Sequence, residues 1–318
     1  MTASEIITLR DDGAGSAAKI HPGRGMNCFS FEVAGPDGPA DLLWADDGFA
    51  RGKATASSSG IPILFPFAGR LRGTEIELGG RRLQLEAGDG RGNTIHGLVI
   101  DRAWEIDQLD EQTVTAHFHA ARHAPELLDK WPGDFRVALK YVLDGNGLNL
   151  DVTIENPDDT ALPFGFGTHP YFRLPPGATT QTCQIHVPAR TYWELDSDTL
   201  LPTGKILAAD GTRDVRRGIT WEAAQLDDVF WDLEPAGDRI ETALRCAQTG
   251  ASIRQTFDAD FLGCVVYTPP HREAVCIEPY TCVPNAPELS GSHTTGWREL
   301  PAGASWRGNV RIEYEPGG

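Results

Sequence analysis

Short segments in which apolar and polar residues alternate recur along the chain. In the segment 148–156 the apolar members of the alternation are Leu148, Leu150, Val152 and Ile154. A period of two is typical of a β-strand with one buried and one solvated face. Similar runs, set apart by Gly, Asp, Asn and Pro, occupy residues 113–120, 135–143, 252–257 and 274–279. The pattern predicts strands over most of the chain.

Two pairs of these segments predict β-hairpins. Residues 135–143 and 148–156 are joined by DGNG, a strong turn signal between alternating runs. Residues 73–87 have the same pattern around a central GG. Neighbouring strands are therefore expected to be antiparallel.

Helix signals are few. Residues 123–131, with Pro125 near the start, and residues 220–228 are each expected to form one or two turns. We find no long segment of period 3.6, no βαβ alternation and no G-x-G-x-x-G motif, which argues against a nucleotide-binding α/β fold. Without a linker or repeat, the chain is predicted to be all-β: one domain, 1–318, folded as a large antiparallel β-sandwich.

Composition narrows the possible partners. The 28 basic residues against 45 acidic ones give a net charge of −17, so nucleic acid and anionic membranes are not expected to bind. A neutral or cationic small ligand fits this charge better. The N-terminal MTASEIITLRDDGAGS lacks a signal-peptide pattern, and no run is long enough to span a membrane. We therefore expect a cytoplasmic protein whose six scattered cysteines are reduced thiols.

The segment 163–172, PFGFGTHPYF, combines an aromatic core with a histidine. Read with period two, Phe164 and Phe166 face one side, and Gly165, Gly167 and His169 face the other. Glycine inside a strand often marks the close approach of a ligand or a backbone. The pattern therefore predicts a shallow trough beside His169, although a hydrogen-bonded core histidine remains the alternative.

Several other residues are candidates for chemistry. Glu278 follows the apolar AVCI and precedes proline, and a buried carboxylate is costly unless it is paired or functional. His96 could bind a ligand or stabilise a turn, and Arg70 could contact a ligand or form an ion pair. Asp227 and its neighbour Asp228 could take part in a site or cap a turn. His117 and His119 are two apart and could face one ligand, but we see no third partner, so a solvated face of the strand is expected for them. No metal site is predicted.

Five segments in order resemble the aldose 1-epimerase family, also called galactose-mutarotase-like. The most specific are H-P-Y-F at 169–172 and IEPYT at 277–281, supported by IHG at 95–97 and GIPILFPFAGRL at 60–71, with LDDVFWDL at 226–233 as the fifth. The resemblance spans about residues 20 to 315. It implies a large antiparallel supersandwich, a sugar substrate and no cofactor.

Carried over position by position, the resemblance also implies roles. His169 would be the general acid that protonates the ring oxygen of an aldose, and Glu278 the general base that takes the proton of the anomeric hydroxyl. His96, Arg70 and Asp227 would bind the sugar. Mutarotation opens a cyclic hemiacetal and recloses it on the other face, so one acid and one base suffice.

Three expectations follow for the surroundings of this site. Partial burial and the nearby carboxylate are expected to hold His169 protonated near neutral pH. The trough left by the glycines would make room for a pyranose. Trp231 or Tyr171 would offer the sugar an apolar face.

Three alternative functions remain open. A branch acting on hexose 6-phosphates would need converging cations, for which Arg72, Arg102 and Arg173 are candidates. A non-catalytic carbohydrate-binding or sugar-sensing protein could use the same scaffold. A β-sandwich glycosidase or lyase would need a second close carboxylate, for which Asp227 or Asp228 might serve. Neither the sugar nor the oligomeric state follows from the sequence.

Overall fold

The structure is a computed structural model that describes residues 5–289 and 294–317. Residues 1–4, part of the segment used to judge a signal peptide, lie outside these ranges. The strands are β1 Ile7–Asp11, β2 Ser16–His21, β3 Asn27–Gly35, β4 Gly38–Asp41, β5 Ile63–Leu64, β6 Arg70–Leu71, β7 Glu75–Leu78, β8 Arg81–Gln84, β9 Thr94–Ile95, β10 Glu105–Leu109, β11 Thr113–His119, β12 Arg136–Asp144, β13 Gly147–Glu155, β14 Leu162–Phe164, β15 Gly167–Thr168, β16 Tyr171–Phe172, β17 Cys183–His186, β18 Ala189–Leu195, β19 Pro202–Ala208, β20 Ile219–Thr220, β21 Asp227–Leu233, β22 Arg239–Cys246, β23 Ser252–Asp258, β24 Gly263–Tyr267, β25 Val275–Tyr280, β26 Arg298–Leu300 and β27 Ser305–Glu315. The helical pieces are α1 Ala120–His123 and the 3-10 turns Phe49–Arg51, Ala56–Ser58, Pro125–Asp129, Gly211–Arg213 and Ala286–Glu288.

Two large antiparallel sheets dominate the architecture. One has nine strands in the order β10-β11-β12-β13-β27-β23-β22-β17-β20. The other runs β19-β18-β21-β24-β25-β15-β5, with β16 also paired to β25. A further sheet has the order β1-β2-β3-β4. The predicted all-β antiparallel sandwich is confirmed.

A large apolar core joins the two main sheets. Ile154 of β13 and Val310 of β27 belong to the same buried cluster as Phe230 of β21 and Val266 of β24. Along β13 the buried and less buried positions alternate, as the sequence pattern predicts. The two phenylalanines assigned to the core face, Phe164 and Phe166, each lie with ring centroids 5.8 Å from Trp306.

Both predicted hairpins are confirmed. Strands β12 and β13 pair from Arg136↔Glu155 to Asp144↔Gly147, and β7 pairs with β8 across Gly79 and Gly80. All six cysteines are buried free thiols, as expected. Within the described ranges, no helix is both long and apolar enough to cross a membrane.

The helix predictions are less accurate. The first signal corresponds to the end of α1 and the 3-10 turn Pro125–Asp129. The second, over 220–228, forms a single turn and no helix: the Ala224 amide donates to the Thr220 carbonyl at 3.0 Å, but Thr220 ends β20 and Asp227 begins β21. Asp227 pairs with Tyr267 of β24, and the Leu226 amide donates to Thr268 Oγ1 at 2.9 Å. These contacts stabilise the extended conformation at the start of β21. Long-range strand pairing thus outweighs a weak local helix preference.

Candidate active site

A cavity of about 440 Å³ opens beside one face of the eight-stranded sheet. The cross-strand register forms two rows on that face, Asp227–Tyr267–Cys276 and Val229–Val265–Glu278. Because side chains two residues apart share a face of a strand, the two rows lie side by side. The structure brings all the predicted site residues to this cavity, which is lined by His169, Glu278, Arg70, His96 and Asp227 among others.

A small two-stranded ladder brings the arginine and the second histidine to the cavity. Strand β6 begins at Arg70, which pairs with Ile95 of β9. His96 follows directly, and its backbone amide donates to the Gly69 carbonyl at 2.9 Å. His96 has a φ of +65°, a left-handed conformation that is uncommon for residues other than glycine. His96 therefore has a place in the cavity, while the contact with the turn comes from its backbone amide and not from its imidazole.

The acid and base candidates are in direct contact. Nε2 of His169 lies 3.2 Å from Oε1 of Glu278, and the two side chains are only 6% and 2% exposed. The His169 ring stacks on Tyr171 at a centroid distance of 4.8 Å and meets the His96 ring edge-on at 5.2 Å. The hydroxyl of Tyr280 donates to Oε2 of Glu278 at 2.7 Å. Each carboxylate oxygen of Glu278 therefore has a partner, His169 for Oε1 and Tyr280 for Oε2.

Burial controls the protonation of this pair. It lowers the pKa of His169 to about 3 and raises the pKa of Glu278 well above its usual value. The expectation that the neighbouring carboxylate holds His169 protonated is wrong, because removal from water disfavours both charged forms. Since the groups touch, they act as one coupled unit, and burial favours the neutral form with a single proton on Glu278. Burial also lowers the pKa of His96 well below its usual value, so that ring is neutral.

Arg70 forms an ion pair with Asp89, an aspartate that the sequence analysis did not identify as part of the site. Its Nε lies 3.2 Å from Oδ2 of Asp89, whose side chain is fully buried. Asn93 donates to the same carboxylate oxygen at 2.8 Å, and the Arg91 and Asn93 amides donate to Oδ1. Arg70 is therefore an ion-pair partner and a cavity residue at once. Asp89 lies in the polar loop GDGRGN, where the sequence indicates only a turn.

Asp227 and Asp228 point to opposite sides of β21. Asp227 lines the cavity, where burial and the Asp228 charge raise its pKa while Arg70 and Arg91 lower it. Asp228 faces away and pairs with Arg213 at 2.6 Å. The turn-capping alternative is therefore wrong for both residues, because they belong to a strand. Asp228 is not a second carboxylate of the cavity.

The glycines before His169 make room for protein, not for a ligand. A Cβ on Gly167 would lie 2.6 Å from Cδ1 of Tyr280, and a Cβ on Gly165 would collide with Sγ of Cys282. The predicted open trough is therefore wrong, because these side chains already fill it. Tyr280 could have been found from the sequence, since it lies two residues after Glu278 and so on the same face.

The apolar wall of the cavity differs from the prediction. Tyr171 lines the cavity, but Trp231 does not. The Trp231 ring packs edge-on against Trp193 at 5.9 Å and covers Gly263, where a Cβ would lie 2.6 Å from the indole. The apolar lining comes instead from Ile95, Leu195, Leu200, Val229, Val265 and Pro284.

Among the residues that the structure describes, two groups of side chains are close enough to hold an ion. His169, Cys276 and Glu278 form the first, but burial raises the pKa of Cys276 well above its usual value and keeps the thiol protonated. A protonated thiol is a poor metal ligand.

Glu105, His117 and His123 form the second group, so His117 has partners that the sequence analysis did not find. Nδ1 of His123 accepts the His119 amide at 2.9 Å, which leaves the proton of the neutral ring on Nε2, 3.2 Å from Glu105. That nitrogen is then a donor rather than a ligand. His117 is buried and lies 2.8 Å from Asp107, so the predicted solvated face is wrong for it.

The three arginines considered for a phosphate do not converge on the cavity. Arg72 pairs with Glu288 at 2.8 Å and Arg102 with Glu126 at 2.7 Å. Arg173 donates from Nε to the Leu43 carbonyl at 3.0 Å. The cations that line the cavity are Arg70 and Arg91.

One known protein family matches nearly the whole chain. The family described as Aldose 1-epimerase matches residues 5–313. YihR of Escherichia coli K12, described as uncharacterized, is 24% identical over 238 residues, 70% of each protein. YphB of the same organism, also described as uncharacterized, is 27% identical over 170 residues, 51% of this chain and 53% of YphB. Human galactose mutarotase is 28% identical over 130 residues, which span 40% of this chain and 36% of the human protein.

Solved structures share the fold over nearly the full length. A galactose mutarotase-like protein from Clostridium acetobutylicum superposes with a TM-score of 0.85 at 20% identity, covering 99% of this chain and 97% of the other. An aldose epimerase homologue from C. elegans gives a TM-score of 0.81 at 18% identity and covers 99% of both chains. At such identities the likeness establishes the architecture alone.

Proposed function

Since the chain belongs to the aldose 1-epimerase family, we propose that it is a mutarotase, which interconverts the α and β anomers of a free aldose. The observation that carries the proposal is the buried pair in the cavity. Nε2 of His169 and Oε1 of Glu278 lie 3.2 Å apart, close enough for both groups to reach one hemiacetal. An acid and a base at that spacing are what ring opening requires.

In the proposed mechanism each member of the pair, Glu278 and His169, exchanges one proton with the sugar. The reactive form has an anionic Glu278 and a protonated His169. Glu278 takes the proton of the anomeric hydroxyl, the bond between C1 and the ring oxygen breaks, and His169 protonates that oxygen. The products are the open-chain aldehyde, a neutral Glu278 and a neutral His169. After rotation about the C1–C2 bond, the same transfers run in reverse and close the ring on the other face.

Burial has a defined role in this mechanism. The ring-opening step neutralises both side chains, and removal from water favours their neutral forms. The environment therefore stabilises the state that accompanies the open-chain intermediate. A cofactor is not required, because the reaction involves neither redox change nor group transfer.

Three further residues would bind the sugar. Arg70 and Asp227 are charged groups able to bind hydroxyls, while neutral His96 lies edge-on to His169 and would bind near the reacting centre. The apolar side chains of Val229 and Val265 would pack against the C–H bonds of the ring. A free aldose is favoured over a hexose 6-phosphate because the arginines first considered for a phosphate pair elsewhere. Of the two arginines in the cavity, Arg70 pairs with Asp89, and Arg91 donates to the Asp198 carbonyl at 2.7 Å.

The test is anomer exchange measured by NMR on glucose, galactose and other aldoses. Glu278→Gln and His169→Ala should each lose about 10²–10⁴-fold of the acceleration. Glu77→Gln, at an exposed ion pair with Arg82, is the matched control and should keep the wild-type rate. Spontaneous rates for the wild type with every aldose would overturn the proposal. Binding without acceleration would support a sugar-binding protein, and cleavage of oligosaccharides a glycosidase or lyase.

We also propose that residues 1–318 form one domain and that the protein is cytoplasmic. Strand β27, near the C-terminus, pairs with β13 and β23 in the middle of the nine-stranded sheet. One apolar cluster includes Leu9 of β1 and Tyr314 of β27. Limited proteolysis should then release no stable fragment shorter than about the full chain.

A further inference from the structure

Two of the six buried cysteines face each other across neighbouring strands. Cys183 of β17 pairs with Cys246 of β22 in the antiparallel register, and both belong to the large apolar cluster. Side chains of directly opposed residues lie on the same face of a sheet and are in contact distance of each other. The two thiols are therefore neighbours on the core side of the nine-stranded sheet.

The backbone hydrogen bonds make this a close pair. The Ala247 amide donates to the Thr182 carbonyl at 2.8 Å, so the hydrogen-bonded pair of the ladder is the one beside the cysteines. The Cys246 amide donates to the Ala251 carbonyl at 2.8 Å, away from Cys183. Opposed residues that share no backbone hydrogen bond have Cα atoms roughly 4.5 Å apart. A disulfide requires Cα atoms about 4.4–6.8 Å apart, so this register suits one.

The surroundings of Cys246 favour its ionised form. Burial opposes ionisation, but the sulfur accepts hydrogen bonds from the hydroxyl and amide of Thr249, from the Gln248 amide and from the Thr182 hydroxyl. Together these bonds lower the pKa of Cys246 to about 7. Burial and the neighbouring sulfur raise the pKa of Cys183 to about 12, so Cys246 is the thiolate of the pair. The thiolate is the form of cysteine that reacts with oxidants.

The other four thiols are protected from this chemistry. Burial raises the pKa of each of them, Cys28, Cys264, Cys276 and Cys282. Cys246 instead lies directly before the turn 247–249, whose three residues are exposed. A cavity of about 350 Å³ borders this turn at Thr249. A local opening of the turn would admit a small oxidant to Cys246 without unfolding of the core.

We propose that Cys183 and Cys246 are a site of reversible oxidation, at which hydrogen peroxide cross-links β17 to β22. The Cys246 thiolate attacks one oxygen of the peroxide, whose O–O bond breaks, and gives a sulfenic acid and hydroxide. The Cys183 thiol then attacks that sulfur, the S–S bond forms and the oxygen leaves as water. The two thiols lose two electrons, and one peroxide gains them.

The oxidation is independent of the mutarotase activity proposed above. Both cysteines lie on strands of the nine-stranded sheet, whereas Glu278 lies on β25 of the other large sheet. Strand β17 has only four residues and lies second from the end of its sheet, beside the two-residue strand β20. About sixty residues separate the two cysteines, so a disulfide restricts a long loop of the unfolded chain. The midpoint of thermal unfolding should therefore rise by a few degrees on oxidation.

The experiment treats the full-length wild type with hydrogen peroxide and maps its thiols and disulfides by mass spectrometry. The expected product is lighter by two hydrogen atoms, carries a disulfide between Cys183 and Cys246, and returns to six thiols with dithiothreitol. Cys183→Ser should stop at a sulfenic acid on Cys246, which dimedone traps, and Cys246→Ser should leave Cys183 reduced. Cys28→Ser is the matched control and should form the cross-link, because a serine can keep the bond that the Cys28 thiol donates to the Ser30 carbonyl.

Six free thiols after peroxide treatment, or a disulfide between any other two cysteines, would overturn the proposal. Sulfinic acid on Cys246 of the wild type would also overturn it, because Cys183 would then have failed to reach the sulfenic acid. An unchanged unfolding midpoint in the disulfide form would show that the cross-link does not stabilise the sheet. The map of the wild type decides between a cross-link and its absence even if a serine variant does not fold.

Discussion

Tyr280 and Glu278 lie two residues apart on β25, and the phenolic hydroxyl donates a 2.7 Å hydrogen bond to Oε2 of the carboxylate. Both side chains are almost fully buried. The bond leaves Oε1 facing His169, so the tyrosine determines which oxygen is available as the base. It also favours the anionic carboxylate, since a donated hydrogen bond lowers the pKa of Glu278 against the rise caused by burial.

Replacement of this tyrosine should change the pH profile. Tyr280→Phe removes the donor, whose hydrogen bond lowers the pKa of Glu278, and so raises that pKa further. The pair reacts while it holds one proton on His169, so a higher pKa of Glu278 should lower kcat/KM near neutral pH. The basic limb of the profile, where the pair loses that proton, should move to higher pH. Anomer exchange measured across pH tests this. A uniform fall in rate at all pH values would contradict it and indicate a purely structural role.

The glycine beside the tyrosine ring should be sensitive to substitution. In Gly167→Ala the new Cβ would lie 2.6 Å from Cδ1 of Tyr280, so the ring must move and its bond to Glu278 weakens. We expect exchange to slow at least about tenfold, the equivalent of 1.4 kcal/mol. Gly13→Ala is the control, since that exposed glycine meets only the Asp11 carboxylate at 3.3 Å. Wild-type rates for Gly167→Ala would show that the ring position is unimportant.

Loss of the aspartate behind Arg70 should affect substrate binding more than turnover. Asp89→Asn removes the charge that holds the guanidinium, so KM should rise about tenfold while kcat changes less. Asp228→Asn breaks a comparable pair with Arg213 on the opposite face of the sheet. Thermal unfolding should report a loss of stability in both variants, and exchange kinetics a raised KM only for Asp89→Asn. Equal KM values in the two variants would contradict a positioning role.

The left-handed backbone at His96 predicts an inverted order of stability. His96→Ala keeps a Cβ at a φ of +65°, whereas His96→Gly removes that strain. The glycine variant should therefore be more stable than the alanine variant by about 1 kcal/mol in urea unfolding. Both should lose sugar affinity to a similar degree, because both lack the imidazole. An alanine variant as stable as the glycine variant would show that this position is unstrained.

Local patterns and family motifs in the sequence predict much of the fold and of the candidate site. Period-two alternation and turn residues predict the β12–β13 and β7–β8 hairpins and the all-β class, because strand pairing between neighbours in the chain needs only local information. The motifs at His169 and Glu278 bring the family resemblance, and with it the residues found together at the cavity. Their catalytic roles remain predictions until the variants are measured.

Only the tertiary structure decides how these groups are surrounded. Asp227 and Asp228 are extended because β21 pairs with β24, a partner about forty residues away in the chain. Gly165 and Gly167 admit Cys282 and Tyr280 from a segment more than a hundred residues away, and Trp231 packs on Trp193, so neither the trough nor the aromatic wall could be predicted locally. The proton affinities of His169 and Glu278 depend on their burial, and the position of the Arg70 guanidinium depends on its ion pair with Asp89. The sequence determined which groups are available, whereas long-range packing determined their solvent exposure, their partners and therefore their protonation.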